Sequence, residues 1–109
     1  MQRMGMVIGV KPEAIAEYKR LHASGSAAVN ALLAACGVSN YTIYLREPEN
    51  LLFGTWDYHG ADWPADAVRL GNEPAIQAWL AQTDACQQPL ASAKPGEWWV
   101  MMEEVFHMD

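Results

Sequence analysis

Positively charged residues are few in this sequence, and those present never cluster. Lys and Arg number 7 against 13 Asp and Glu, which leaves a formal net charge of −6. A protein that neutralises a phosphate backbone concentrates Lys and Arg on one surface. We therefore expect no nucleic-acid partner.

Long apolar runs and cysteines are equally scarce. No stretch approaches the roughly 20 apolar residues that a membrane-spanning helix needs, and the first residues lead into an alternating pattern instead of a signal-peptide core. Cys36 and Cys86 form neither a Cys-x-x-Cys pair nor the disulfide framework of a small secreted protein. These features predict a cytoplasmic protein with no membrane partner, in which both cysteines are reduced and buried.

Motifs for phosphate, acyl-transfer and metal chemistry are also missing. The sequence has no glycine-rich phosphate loop and no Gly-x-Ser-x-Gly elbow. Its three histidines, His22, His59 and His107, do not form a pair at metal-binding spacing. We expect neither a cofactor nor a metal ion.

The sequence does contain the composition of an ordinary globular domain, with 51% hydrophobic and 18% charged residues. Its 109 residues suffice for one hydrophobic core, so we predict a single domain over residues 1–109. Apolar residues at every second position predict a strand from about Arg3 to Val10. Three-to-four spacing then predicts an amphipathic helix between Pro12 and Gly37, with a kink or short break at Gly25.

The second half of the chain repeats these patterns. Two β-branched and aromatic runs, Ser39–Arg46 and Leu51–Tyr58, predict a hairpin. The pattern is helical from residue 60 to 82, where Pro64 and Pro74 divide the segment into at least two pieces. The Val, Phe and Trp content of residues 98–108 predicts a last strand.

The predicted order β-α-β-β-α-β is the ferredoxin-like arrangement, an α+β fold with helices on one face of an antiparallel sheet. So short a chain cannot cover the apolar residues on the other face of the sheet. We therefore expect a homodimer joined sheet to sheet, a dimeric α+β barrel.

His22 and Tyr18 are the first candidates for a functional site. They lie one turn apart on the apolar stripe of the first predicted helix, so their side chains face the sheet together. A core histidine and tyrosine with satisfied hydrogen bonds are the commoner explanation of such a pair. The functional alternative is a proton-transfer pair lining a cavity, because imidazole exchanges protons near neutral pH.

Tyr41 and Trp79 are candidates for the same cavity. Tyr41 shares a strand face with Ile43 and Leu45, and this face approaches the first helix if it looks toward the helices. Trp79 is one of 5 tryptophans, and indole rings stack on the C–H faces of sugars. Each residue alone is more often part of a core, but imidazole and phenols together suit a neutral, hydroxyl-rich substrate.

A set of motifs is spread along nearly the whole chain: Pro12, Glu17-Tyr18 and His22 in the first helix, Asn40-Tyr41-Thr42-Ile43-Tyr44-Leu45, Asn50-Leu51-Leu52-Phe53, Trp79 before Gln87, and Glu103-Glu104-Val105-Phe106. Together these motifs resemble the L-rhamnose mutarotase family. The resemblance implies a dimeric ferredoxin-like isomerase, free of metal and cofactor, that equilibrates the α and β anomers of a 6-deoxyhexose. It also implies that His22 is the proton donor and that Tyr18, Tyr41 and Trp79 bind the sugar.

Two positions depart from the pattern of the family. Ser26-Ala27 stands where the family usually has Trp-Pro, and Trp79-Leu80 where it commonly has Trp-Trp. Loss of an aromatic platform changes the pocket wall, so L-fucose or a related deoxysugar is an alternative substrate to L-rhamnose. Two other functions compete with a mutarotase: a ferredoxin-like dimeric monooxygenase, because fold alone does not determine activity, and a non-catalytic binding module.

Overall fold

The computed structural model describes all 109 residues and begins with the predicted first strand, β1 (Gln2–Val10). Its alternate residues Met4, Met6, Ile8 and Val10 are buried, which confirms the period-two pattern. A turn of 3-10 helix at Pro12–Ala14 then leads into the helical layer.

The first helical segment is two helices, α1 (Ile15–Ser24) and α2 (Ala27–Ala35). Gly25 separates them with φ 64° and ψ −167°, a conformation that residues other than glycine rarely adopt. Ser26 starts α2, because its Oγ accepts a hydrogen bond from the amide of Val29 at 3.2 Å. The predicted interruption at Gly25 is therefore present as a complete break.

The predicted hairpin is also confirmed, as β2 (Val38–Arg46) and β3 (Leu51–Tyr58). Its pairing shifts register between Ser39 and Thr42, where Asn40 has a positive φ of 52°. The next segment contains two helices, α3 (Trp63–Gly71) and α4 (Pro74–Asp84). Both have proline in the first turn, where its missing N–H costs no hydrogen bond.

The predicted last strand over residues 98–108 is wrong in extent. Two short strands pair with β1 instead, β4 (Gln87–Gln88) and β5 (Val100–Met101). Residues 102–109 lie outside regular structure, and Val105 and Phe106 are 88% and 79% exposed. Apolar content favours a strand only where another strand offers backbone hydrogen bonds. The amide of Met102 still donates to the carbonyl of Gly5 in β1, but residues 103–109 make no further backbone hydrogen bond to the sheet.

The strands form one antiparallel sheet in the order β2-β3-β1, with β4 and β5 both on the free side of β1. Helices cover one face, where Ile8 and Leu52 are fully buried and contact Tyr18 and Leu21 of α1. The fold is the predicted ferredoxin-like α+β arrangement. Cys86 is buried and Cys36 half-buried, and both are unpaired. No helix combines the length and the apolar character needed to cross a bilayer.

Candidate functional site

A cavity of about 600 Å³ lies between the first two helices and the sheet. Its wall has 18 residues, of which 11 are hydrophobic, and it includes all four predicted site residues. Tyr18 and His22 come from α1, Tyr41 from β2 and Trp79 from α4. Residues separated by up to 61 positions in the sequence (79 − 18) therefore meet in one hollow.

His22 lies in the last turn of α1, and its side chain is exposed to the cavity. Its Nδ1 lies 2.8 Å from the carbonyl oxygen of Tyr18. A carbonyl oxygen only accepts hydrogen bonds, so Nδ1 carries a proton and donates it to that bond. Exchange of a proton with a ligand is then left to Nε2.

Aromatic rings hold the imidazole of His22 from two sides. The ring of Tyr18 has its centroid 4.3 Å away, tilted by 37°. The indole of Trp79 lies 5.2 Å away and meets the imidazole nearly edge-on, at 75°. Together with the bond at Nδ1, these contacts restrict the ring to one orientation.

Tyr18 places a phenol in a buried part of the cavity wall, since only 7% of the residue is exposed. Desolvation by burial raises the pKa of Tyr18 to about 12. The phenol therefore keeps its proton throughout the neutral range. Its oxygen accepts a hydrogen bond from Nε2 of Gln87 at 3.3 Å.

Tyr41 approaches the cavity from the sheet, at the register shift of β2. The prediction that Tyr41, Ile43 and Leu45 share a face is confirmed, because all three line the cavity. The ring of Tyr41 leans on Trp56, with centroids 5.0 Å apart. Although 41% of the residue is exposed, desolvation of the phenol and the proximity of Tyr18 raise the pKa of Tyr41 above its ordinary value.

The two departures from the family pattern have different positions. Ser26 lines the main cavity and also a second cleft of about 370 Å³, whose wall it shares with Gly25 and Trp79. Leu80 lines neither hollow and is 43% exposed. The departure from the family pattern at Ser26 therefore alters the cavity wall, whereas the departure at Leu80 lies outside it.

Two residues near Tyr18 were not predicted as part of the site. Gln87 is 3% exposed, and its Oε1 accepts a 2.7 Å hydrogen bond from the indole Nε1 of Trp98. Both residues follow the helical region, and no local pattern relates them to α1. Gln87 is one of the residues that resemble the family pattern, but no feature of the sequence placed it at the site.

Most polar groups on the cavity wall are neutral: they are phenols, an imidazole, hydroxyls and carboxamides. Lys19 is the only lysine or arginine on the wall. No three His, Cys, Asp or Glu side chains group closely enough to hold a metal ion. Neutral donors and acceptors beside aromatic and aliphatic surfaces suit an uncharged ligand that has both hydroxyl groups and an apolar face.

Comparisons with known proteins agree on one family. A family model described as L-rhamnose mutarotase matches residues 3–108. An L-rhamnose mutarotase of Mesorhizobium japonicum is 34% identical over 108 residues, covering 91% of this chain and 90% of the relative. One from Bacteroides thetaiotaomicron is 32% identical over 109 residues and covers both chains completely. The crystal structure of an L-rhamnose mutarotase from Formosa agariphila superposes with a TM-score of 0.78 at 22% identity over both whole chains.

Proposed function

The chain belongs to the L-rhamnose mutarotase family, and from this premise we propose that it is an isomerase that interconverts the α and β anomers of L-rhamnose. One observation supports the proposal most directly. The imidazole of His22 stands in an open cavity with Nδ1 already engaged, beside two phenols and an indole. This site offers a proton-transfer atom, Nε2, together with groups that bind a sugar.

The reaction opens and recloses the pyranose ring. Nε2 of protonated His22 gives its proton to the ring oxygen, and the bond from this oxygen to C1 breaks. The anomeric hydroxyl loses its own proton to a water, either directly or through a tyrosine hydroxyl that passes its own proton on to that water. Rotation about C1–C2 and the reverse transfers close the ring with the opposite configuration. One proton enters and one leaves, so the reaction needs no net change in charge and no covalent intermediate.

Tyr18, Tyr41 and Trp79 are proposed to hold the sugar. Both phenols stay protonated because desolvation raises the pKa of each, so they can donate hydrogen bonds to hydroxyl or ring oxygens. Trp79 offers a flat apolar surface beside His22, suited to the C–H face of a pyranose. Holding the sugar against Nε2 converts proton transfer into a step within one complex.

We further propose that the protein acts in the cytoplasm as a homodimer and binds no nucleic acid. Two unpaired thiols suit a reducing compartment, and the net charge of −6 disfavours a phosphate backbone. The sheet face opposite the helices presents a row of apolar side chains across three strands, Tyr44 beside Phe53 beside Val7. A second copy would cover this row.

The proposed activity is tested by NMR saturation transfer between the anomeric proton signals of L-rhamnose. The wild-type protein should transfer saturation between the anomers much faster than buffer alone. His22→Ala should reduce this exchange by roughly 10²- to 10⁴-fold, the usual contribution of a positioned acid or base. Because His22 is exposed, the variant should keep the wild-type circular dichroism spectrum.

His59→Ala is the matched control, because His59 is also exposed but lies outside the cavity. It should exchange anomers at the wild-type rate. Repeating the measurement with L-fucose determines whether the cavity prefers one deoxysugar. An His22→Ala protein as active as wild type would refute the assignment of His22, and a wild-type protein without activity on either sugar would refute the proposed function.

A further inference from the structure

Gln87 links two aromatic residues through a buried chain of hydrogen bonds. It lies in β4, which pairs with β1 at Val10, and only 3% of it is exposed. Its Oε1 accepts from Nε1 of Trp98 at 2.7 Å, and its Nε2 lies 3.3 Å from the hydroxyl oxygen of Tyr18. The chain ends at a phenol in the cavity wall.

The chemistry of these groups determines the direction of each bond. An indole N–H can only donate, so the carboxamide of Gln87 must turn its oxygen toward Trp98. Its NH₂ group then faces Tyr18 and, having no acceptor capacity, must donate. The phenol oxygen of Tyr18 is thereby occupied as an acceptor, and its own O–H proton is free for another partner.

We propose that Gln87, oriented by Trp98, is a positioning residue that makes the Tyr18 hydroxyl a hydrogen-bond donor to an oxygen of the bound sugar. The inference rests on the proposed mutarotase function. Without Gln87 the hydroxyl would be free to rotate and accept or donate without preference. Burial raises the pKa of Tyr18 to about 12 even though the hydrogen bond from Gln87 lowers it, so the hydroxyl keeps the proton that a donor needs at neutral pH.

The test is a double-mutant cycle measured by anomer exchange at several L-rhamnose concentrations. Gln87→Met keeps the length of the side chain but removes both polar atoms. It should raise KM by roughly 2- to 10-fold, the effect of losing about one hydrogen bond, while kcat changes little because His22 is untouched. In a Tyr18→Phe background the same substitution should raise KM no further, since Gln87 acts through the missing hydroxyl.

Two further variants separate orientation from packing. Trp98→Phe keeps an aromatic ring at a position that is 38% exposed but removes the N–H donor, so it should raise KM in the same direction as Gln87→Met. Gln88→Met is the matched control, because Gln88 is the exposed neighbour of Gln87 on the same strand and does not line the cavity. It should leave KM unchanged.

The possible outcomes are distinct. Equal effects of Gln87→Met in the wild-type and Tyr18→Phe backgrounds would mean that Gln87 only packs, which overturns the positioning role while the mutarotase function stands. If Gln87→Met does not fold, an unchanged KM in Trp98→Phe overturns the role by itself. A wild-type protein that exchanges no anomers overturns the function and this inference with it.

Discussion

Trp79 borders two hollows at once and sets the edge of its indole against the imidazole of His22. One side chain therefore both lines the cavity and contacts the imidazole of His22. A ligand stacked on this indole would be held within reach of Nε2. The adjacent Leu80 contributes to neither surface.

Trp79→Leu should weaken sugar binding while leaving proton transfer largely intact. An aromatic contact is worth about 0.5–1.5 kcal/mol beyond burial, so KM should rise by roughly 2- to 12-fold. The measurement is anomer exchange against sugar concentration. Leu80→Ala is the control at the next position and should keep the wild-type KM. An equal rise of KM in both variants would mean that a disturbed α4, and not the loss of the indole, weakens sugar binding.

The pair on α1 could be predicted from sequence because helical spacing is local. Tyr18 and His22 are four residues apart, so a 3.6-residue period places both on one face of the helix, and the apolar residues on that face indicate that it packs on the sheet. Gln87 could not be found in this way, since its contact with Tyr18 spans 69 positions. Only the tertiary fold brings β4 against the first helix.

At the scale of elements, the break between α1 and α2 shapes the cavity. Gly25 and Ser26 lie in this break and line both hollows. A continuous helix would carry the chain past the cavity mouth, whereas the break lets α2 start in a new direction with Ser26 as its cap. The conformation of Gly25 is thus a requirement of the site as well as of the fold.

Gly25→Ala should lower the free energy of unfolding by about 1–3 kcal/mol, because its φ of 64° with ψ of −167° is a region essentially restricted to glycine. Urea denaturation followed by circular dichroism measures the change. Gly71→Ala is the control: this glycine ends α3, and an added Cβ there would meet nothing within 4 Å. Gly71→Ala should be neutral or stabilise the protein by about 0.4–1 kcal/mol. Equal losses of unfolding free energy in both variants would mean that the backbone conformation of Gly25 does not require glycine.

The elements that the sequence predicted correctly have their signal in local spacing, as in β1 and the hairpin. The last strand was predicted to be too long, because Val105 and Phe106 have side chains that are typical of strands but lie outside any strand. Pairing depends on which edge of the sheet remains free. The composition of a segment does not contain that information.

At the scale of the whole molecule, one face of the sheet has no cover within the chain. Tyr44, on the face away from the helices, is 62% exposed and lies beside Phe53. Val105 and Phe106, which follow β5, are exposed as well. A sheet face of this kind is typical of an interface between copies.

Tyr44→Glu should convert the proposed dimer to a monomer, since a second copy would have to bury the new carboxylates without partners. Sedimentation velocity would show the change as a loss of the dimer peak. Val68→Glu places the same charge on α3, where Val68 is 66% exposed, and should leave the dimer intact. A wild-type protein that sediments as a monomer at micromolar concentration would rule out the dimer.

The chain of hydrogen bonds from Trp98 through Gln87 to Tyr18 connects α1, at the cavity wall, with a segment that comes after all the helices. A protein cut short before residue 98 would still have the imidazole and both phenols, but nothing would direct the carboxamide of Gln87. If Gln87 has the proposed positioning role, such a shortened protein should bind its sugar more weakly, as expected for Gln87→Met.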